Sequence, residues 1–159
     1  MQPAQVFKYP SDYLYDPTYE WGNNVAFDPF WLVFPTFGPM TAALIQTQTV
    51  NIPNDSDFEC RRLHFHVDAA GAQLTVATAV IPNITILIND SGSGRNLMNA
   101  AAPIATVCES EAFAARNMMW PKIFTRNSTI SITLTNFDAA VATNNIRIIM
   151  AGRKIYSAS

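Results

Sequence analysis

The alternation of apolar and polar residues is clearest in the last third of the chain. In residues 129–136, Ile130, Ile132 and Leu134 fall on one side of an extended backbone and Ser131, Thr133 and Thr135 on the other, a period of two that predicts a half-buried strand. Residues 145–156 repeat the pattern, with Ile146, Ile148 and Met150 set against Arg147, Ile149, Ala151 and Arg153. In residues 58–68, Leu63, Phe65 and Val67 form the apolar side, and Cys60, Arg62, His64, His66 and Asp68 share the other. Residues 40–52 contain the alternating segment QTQTV, and residues 74–80 and 84–88 are β-branched runs parted by Pro82-Asn83. Residues 104–108 read as a further short strand, NDSGSGR (89–95) as a loop, and SEAFAARN (110–117) as the one plausible helical turn. Short alternating strands separated by turn signals, without a long 3.6-period segment, predict an all-β fold: an antiparallel β-sandwich or jelly roll.

Residues 1–39 have a different texture. They hold six of the ten prolines and eleven of the eighteen aromatic residues. Proline at this spacing opposes both helix and central strand, because each ring removes a backbone donor and biases the preceding residue toward extended geometry. The expectation is an extended, aromatic, proline-rich N-terminal arm over 1–39, followed by a β-sandwich domain over 40–159. Unlike a disordered tail, such an arm carries large apolar side chains that need burial. The arm wraps its own domain or lies on a neighbouring subunit; on the second reading Phe7, Tyr9, Tyr13, Tyr15, Tyr19, Trp21, Phe30 and Trp31 are the partner-binding anchors, since Tyr and Trp favour interfaces.

With 159 residues the chain suits one domain plus an arm. Charged residues make up 14% of it, against about 25% in a typical globular chain, so the solvated shell is thin and much of the surface is expected to meet other protein. The net charge of −2 is unevenly placed: residues 1–60 hold one lysine against seven acids, and the remainder holds nine basic residues against five acids. Basic residues occur in no long run, which argues against specific nucleic-acid binding. Pro35, Gly38, Pro39, Gln46 and Gln48 interrupt the uncharged stretch 30–54, so no membrane span is expected. The N-terminus MQPAQVFKYPSDY lacks the form of a secretory signal, and the expectation is folding in a cytoplasm, with Cys60 and Cys108 as free thiols.

Few residues suggest chemistry. His64, His66 and Asp68 share a strand face and have metal-ligand character, but no fourth ligand lies nearby, and a polar face meeting water or a neighbour is the better reading. The loop DSGSGR lacks the spacing and lysine of a phosphate cradle and the form of a nucleophile elbow. Cys108 would need His64 or His66 beside it, and Glu109 with Glu111, next to a helical turn, would be solvated or cap it. No catalytic residue, cofactor, metal or small-molecule substrate is therefore expected.

The segments NDSDF (54–58), ITILINDSGSGRNLMNAAAPI (84–104), PKIFTRNSTISITLTNF (121–137) and NIRIIMAGRKIY (145–156) together resemble tailed-bacteriophage virion structural proteins. The resemblance spans most of residues 54–156. It implies a non-enzymatic virion subunit, assembled in the host cytoplasm, that is homo-oligomeric and bound to the major capsid protein as a minor capsid (cement or decoration) protein. A neck, tail or fibre-attachment subunit bound to neck or tail proteins is the alternative. A more distant one is a carbohydrate-binding β-sandwich module, whose aromatics should stand on a strand face.

Overall fold

The computed structural model describes residues 25–68, 83–109, 121–137 and 145–157. The long alternations are strands: β3 (Asp57–Asp68), β8 (Thr129–Asn136) and β9 (Asn145–Ser157). With β1 (Val25–Val33), β2 (Ile45–Asn51), β4 (Ile84–Asp90), β5 (Arg95–Asn96), β6 (Ala102–Pro103) and β7 (Lys122–Phe124) they form two antiparallel sheets. The first sheet has the order β1-β9-β3-β7; the second has β2-β8-β4-β5, with β6 also on β4.

The pairings β4·β5, β3·β7, β2·β8 and β1·β9 nest around the turn at Ser91 to Gly94. The chain is thus a long ribbon doubled back on itself and wound across both sheets, and β3·β9 and β4·β8 stitch neighbouring turns together. This is a jelly roll, the arrangement in which two sheets enclose one core. Inward positions fill that core: Ile84, Ile86 and Ile88 of β4, Ile130, Ile132 and Leu134 of β8, and Ile146, Ile148 and Met150 of β9.

Three expectations are corrected. Residues from Val25 on already belong to the sandwich, ahead of the boundary expected at residue 39, and Phe34 and Phe37 are core residues. Their amides donate to Ile148 and Ile146 carbonyls at 3.0 and 2.9 Å, prolonging the β1·β9 ladder. The Phe34 bond fixes the phase: even positions of β1 face β9, and Pro29 turns its missing donor to the side on which no strand lies among the described residues. An edge strand tolerates proline there because no ladder bond is lost.

The second correction concerns the face carrying Cys60. The register of β3 against β9 slips between Cys60 and Arg62, and this bulge adds a residue that reverses the alternation. Phe58 and Cys60 point inward before it, Leu63 and Phe65 after it, so Cys60 is a core residue and does not share the face of His64 and His66. Gly152 lies opposite; a Cβ there would sit 1.8 Å from the Glu59 carbonyl oxygen, so the close approach requires glycine.

The third concerns residues 104–108, where a single helical turn α1 (Ile104–Val107) replaces the expected strand. Cys108 N donates to Ile104 O at 2.8 Å, and Thr106 Oγ1 donates to Pro103 O at 2.7 Å. Burial of Ile104 outweighs the strand preference of its β-branched side chain. The strand expected over 74–80 and the helical turn over 110–117 lie outside the described residues.

Candidate partner-binding surface

Of the expected anchors, Phe7, Tyr9, Tyr13, Tyr15, Tyr19 and Trp21 lie outside the described residues. Phe30 is taken up by its own domain: it packs against the core, meets Phe58 edge to face at 5.9 Å, and has the Lys154 ammonium 4.9 Å from its ring centre. Trp31, one residue on, stands on the outer face of β1 and is 63% exposed. Val33, Ile45 and Phe137 are also large, apolar and exposed, at 58, 63 and 61%.

Three of these four lie along one side of the sandwich. β1 and β2 are the outermost strands of their sheets, and the link between them is bonded to β2: Gly38 N donates to Gln46 Oε1 at 2.9 Å, and Gln48 Nε2 to Thr36 O at 3.3 Å. Trp31 and Val33 therefore sit close to the strand that bears Ile45.

The outer face of the second sheet is uncharged. Ile45, Thr47, Thr49 and Asn51 pair with Thr135, Thr133, Ser131 and Thr129, and these with Thr85, Leu87 and Asn89. Hydroxyls bond across it, Thr47 Oγ1 to Thr133 Oγ1 and Thr129 Oγ1 to Asn51 Oδ1, each at 2.8 Å.

The outer face of the first sheet is knitted by charge. The Glu59 carboxylate, almost fully buried, accepts from Arg153 Nε at 3.0 Å and Nη2 at 2.8 Å, and it is paired with Arg61 Nε. Arg153 also lies 4.1 Å from the Phe27 ring centre. A buried carboxylate held by two guanidinium groups is a structural device, because removing either partner leaves a charge uncompensated. The spacing of Glu59 and Arg61 is visible in the sequence, but Arg153 joins them only through the β3·β9 register.

His64 and His66 do point to one side, as expected, but Cys60 does not. His64 Nδ1 lies 3.2 Å from Glu109 Oε2, a buried carboxylate. The Glu109 backbone occupies the edge of β3 beside it: Glu109 N donates to Leu63 O and Phe65 N to Glu109 O, both at 2.7 Å. The pair thus pins the segment after α1 to the sheet. Among the described residues, no group of three His, Cys, Asp or Glu side chains is placed to hold a metal ion.

The glycine-rich loop is the β4–β5 turn, and the Ser91 and Gly92 amides and the Ser93 hydroxyl are occupied within the domain. Asp90 accepts from Gly92 N at 3.0 Å and Ser93 Oγ at 2.7 Å, and Lys122 Nζ lies 3.2 Å from it. Burial pushes the Asp90 carboxyl up, but the bonds from Ser93, Lys122 and the Gly92 amide outweigh it and hold it below its ordinary value. Cys60 and Cys108 are free and buried, and burial pushes both thiols up to about 12. Neither supplies a thiolate nucleophile near neutral pH.

Among the described residues no helix is long and apolar enough to cross a membrane. Comparison of the chain with protein-family models, with the curated proteins and with solved structures gives no match.

Proposed function

We propose that this chain is a structural subunit of a virion, a minor capsid protein of the cement or decoration type that stabilises a shell through protein contacts. The observation that carries the reading is the side of the sandwich where two edge strands expose Trp31 and Val33 on the first sheet and Ile45 on the second, the last beside an uncharged, hydroxyl-lined face. Aromatic and aliphatic anchors on a surface poor in charge are the composition of a protein interface centre. The jelly roll adds support by analogy only, since capsid subunits, lectins and cupins share it.

On this reading the described domain is a rigid block and residues 1–24, with six aromatic side chains, are its tether. The partners are the major capsid protein and further copies of this chain. Each contact contributes modestly, and repetition over a closed shell multiplies the effect.

A position at the neck or tail uses the same surfaces, and a ring of copies at one vertex would mark it. The carbohydrate-binding alternative gains one observation, because Trp31 stands on a strand face where a sugar ring can stack.

The test is to purify particles on a density gradient and measure this chain in them by quantitative mass spectrometry. Many copies per particle are expected, and their loss when residues 1–24 are deleted while the domain stays folded. Absence from particles, together with glycan binding abolished by Trp31→Ala, would replace the proposal with the carbohydrate-binding reading.

A further inference from the structure

Among the described residues β1 and β2 are edge strands on the same side of the sandwich, and they differ in a way that assigns one of them a partner. In β1, Pro29 faces the open edge, and a proline there denies an incoming strand one of its bonds. β2 (IQTQTVN) has no proline, no charge and no bulge in its seven residues. It lacks the proline, charge and bulge that usually keep an edge from pairing, and among the described residues no strand lies beyond it.

The backbone phase of that edge is known. Asn136 N donates to Leu44 O at 3.0 Å and Ile52 N to Ser128 O at 2.9 Å, so even positions face β8. The odd positions Ile45, Thr47, Thr49 and Asn51 therefore present their N–H and C=O groups outward. Thr47 and Thr49 are exposed as well.

We propose that β2 is a homodimer edge, pairing antiparallel with β2 of a second copy about a two-fold axis at Gln48. That axis sets Ile45 opposite Asn51 of the other copy and Thr47 opposite Thr49. Every outward-facing residue then meets another outward-facing residue, giving about eight backbone hydrogen bonds. The same axis keeps outer side chains on one face, so the hydroxyl surface becomes continuous across both copies. No charge in residues 30–54 opposes the contact, and Thr against Thr is a favourable cross-strand pair. A second copy fits this edge because its own β2 supplies the matching phase, length and neutrality. A seven-residue edge is a small interface, so the dimer is weak alone and gains from repetition in an assembly. The inference holds whether or not the protein belongs to a particle.

Sedimentation equilibrium of the full chain tests it. The wild type should dimerise with a dissociation constant in the range of about 1 μM to 1 mM. Thr47→Lys with Thr49→Lys places lysine against lysine twice and should raise that constant at least tenfold, with the circular dichroism spectrum unchanged. Thr47→Lys with Thr49→Glu places lysine against glutamate and should restore the dimer. A wild type that stays monomeric up to about 1 mM, a dimer indifferent to the double lysine change, or a Lys/Glu variant as dissociated as the double lysine would each overturn the proposal.

Discussion

On the outer face of the first sheet, Arg61 and Arg153 clamp a buried glutamate, and Arg62 and Arg147 stand further along the same face; on that of the second, threonine, serine and asparagine stand in neutral rows. Both faces belong to strands with equally apolar inner sides, so the core does not explain the difference. The first face spends its polar groups on the fold, because Glu59 is nearly inaccessible and its partners are fixed by the β3·β9 register. The second face contributes little beyond its backbone ladder and exposed hydroxyl pairs, which leaves it available for contact with another chain. The charge-held centre of the first sheet is thus committed to the fold, while its edge strand β1, with Trp31 and Val33, and the neutral second face carry the exposed surface on which the proposed contacts rest.

Perturbations of the first sheet should be the most costly. Gly152→Ala drives a methyl group into the Glu59 carbonyl and should cost about 3 kcal/mol or more, read from the denaturant midpoint. Glu59→Gln leaves two guanidinium groups without their carboxylate and should cost about 2 to 3 kcal/mol by the same measurement. If this substitution proved neutral, the charge knitting would be a surface feature and the contrast would fail.

The seam between the sheets should show an intermediate effect that depends on pH. Lys122 of β7 reaches across to Asp90 of β4, and that carboxyl is held below its ordinary value. A depressed carboxyl binds fewer protons folded than unfolded, so its contribution is complete above the unfolded value of about 3.9 and is lost as pH falls through the folded value. Asp90→Asn should cost about 1 to 2 kcal/mol at neutral pH, and its stability curve should converge with that of the wild type in acid.

The smallest effect belongs to the second face. Thr133→Val removes one exposed hydroxyl bond, to Thr47, and should change stability by about 0.5 kcal/mol or less. A loss several times larger would mean that this face is also committed to the fold.

The sequence patterns made β8, β9 and the distal part of β3 legible, because each has one wet and one dry side over at least six residues. The start of β3 was not, since a bulge changes the phase without leaving a mark in Glu59-Cys60-Arg61-Arg62. β1 was hidden by Pro29, whose cost depends on whether the strand lies at an edge, and that is a property of the topology. The turn at residues 104–107 was hidden because burial of Ile104 overrode local preference. Trp31 and Phe30 carried the same expectation in the sequence, and the structure leaves Trp31 exposed while it packs Phe30 against the core. Their opposite fates follow from strand alternation, which becomes readable only once β1 is known to be a strand. The Glu59, Arg61 and Arg153 cluster spans 94 positions and exists only through strand pairing.

The central claim is that the domain is a contact module of a larger shell. It is tested most directly by adding purified protein to particles that lack it and counting bound copies by electron microscopy. The account predicts saturable occupancy at symmetric positions, lost when Trp31 and Ile45 are changed together to Lys in a variant that remains folded. Particles that take up no protein at saturating concentration, or that bind the Trp31→Lys, Ile45→Lys variant equally well, would contradict it.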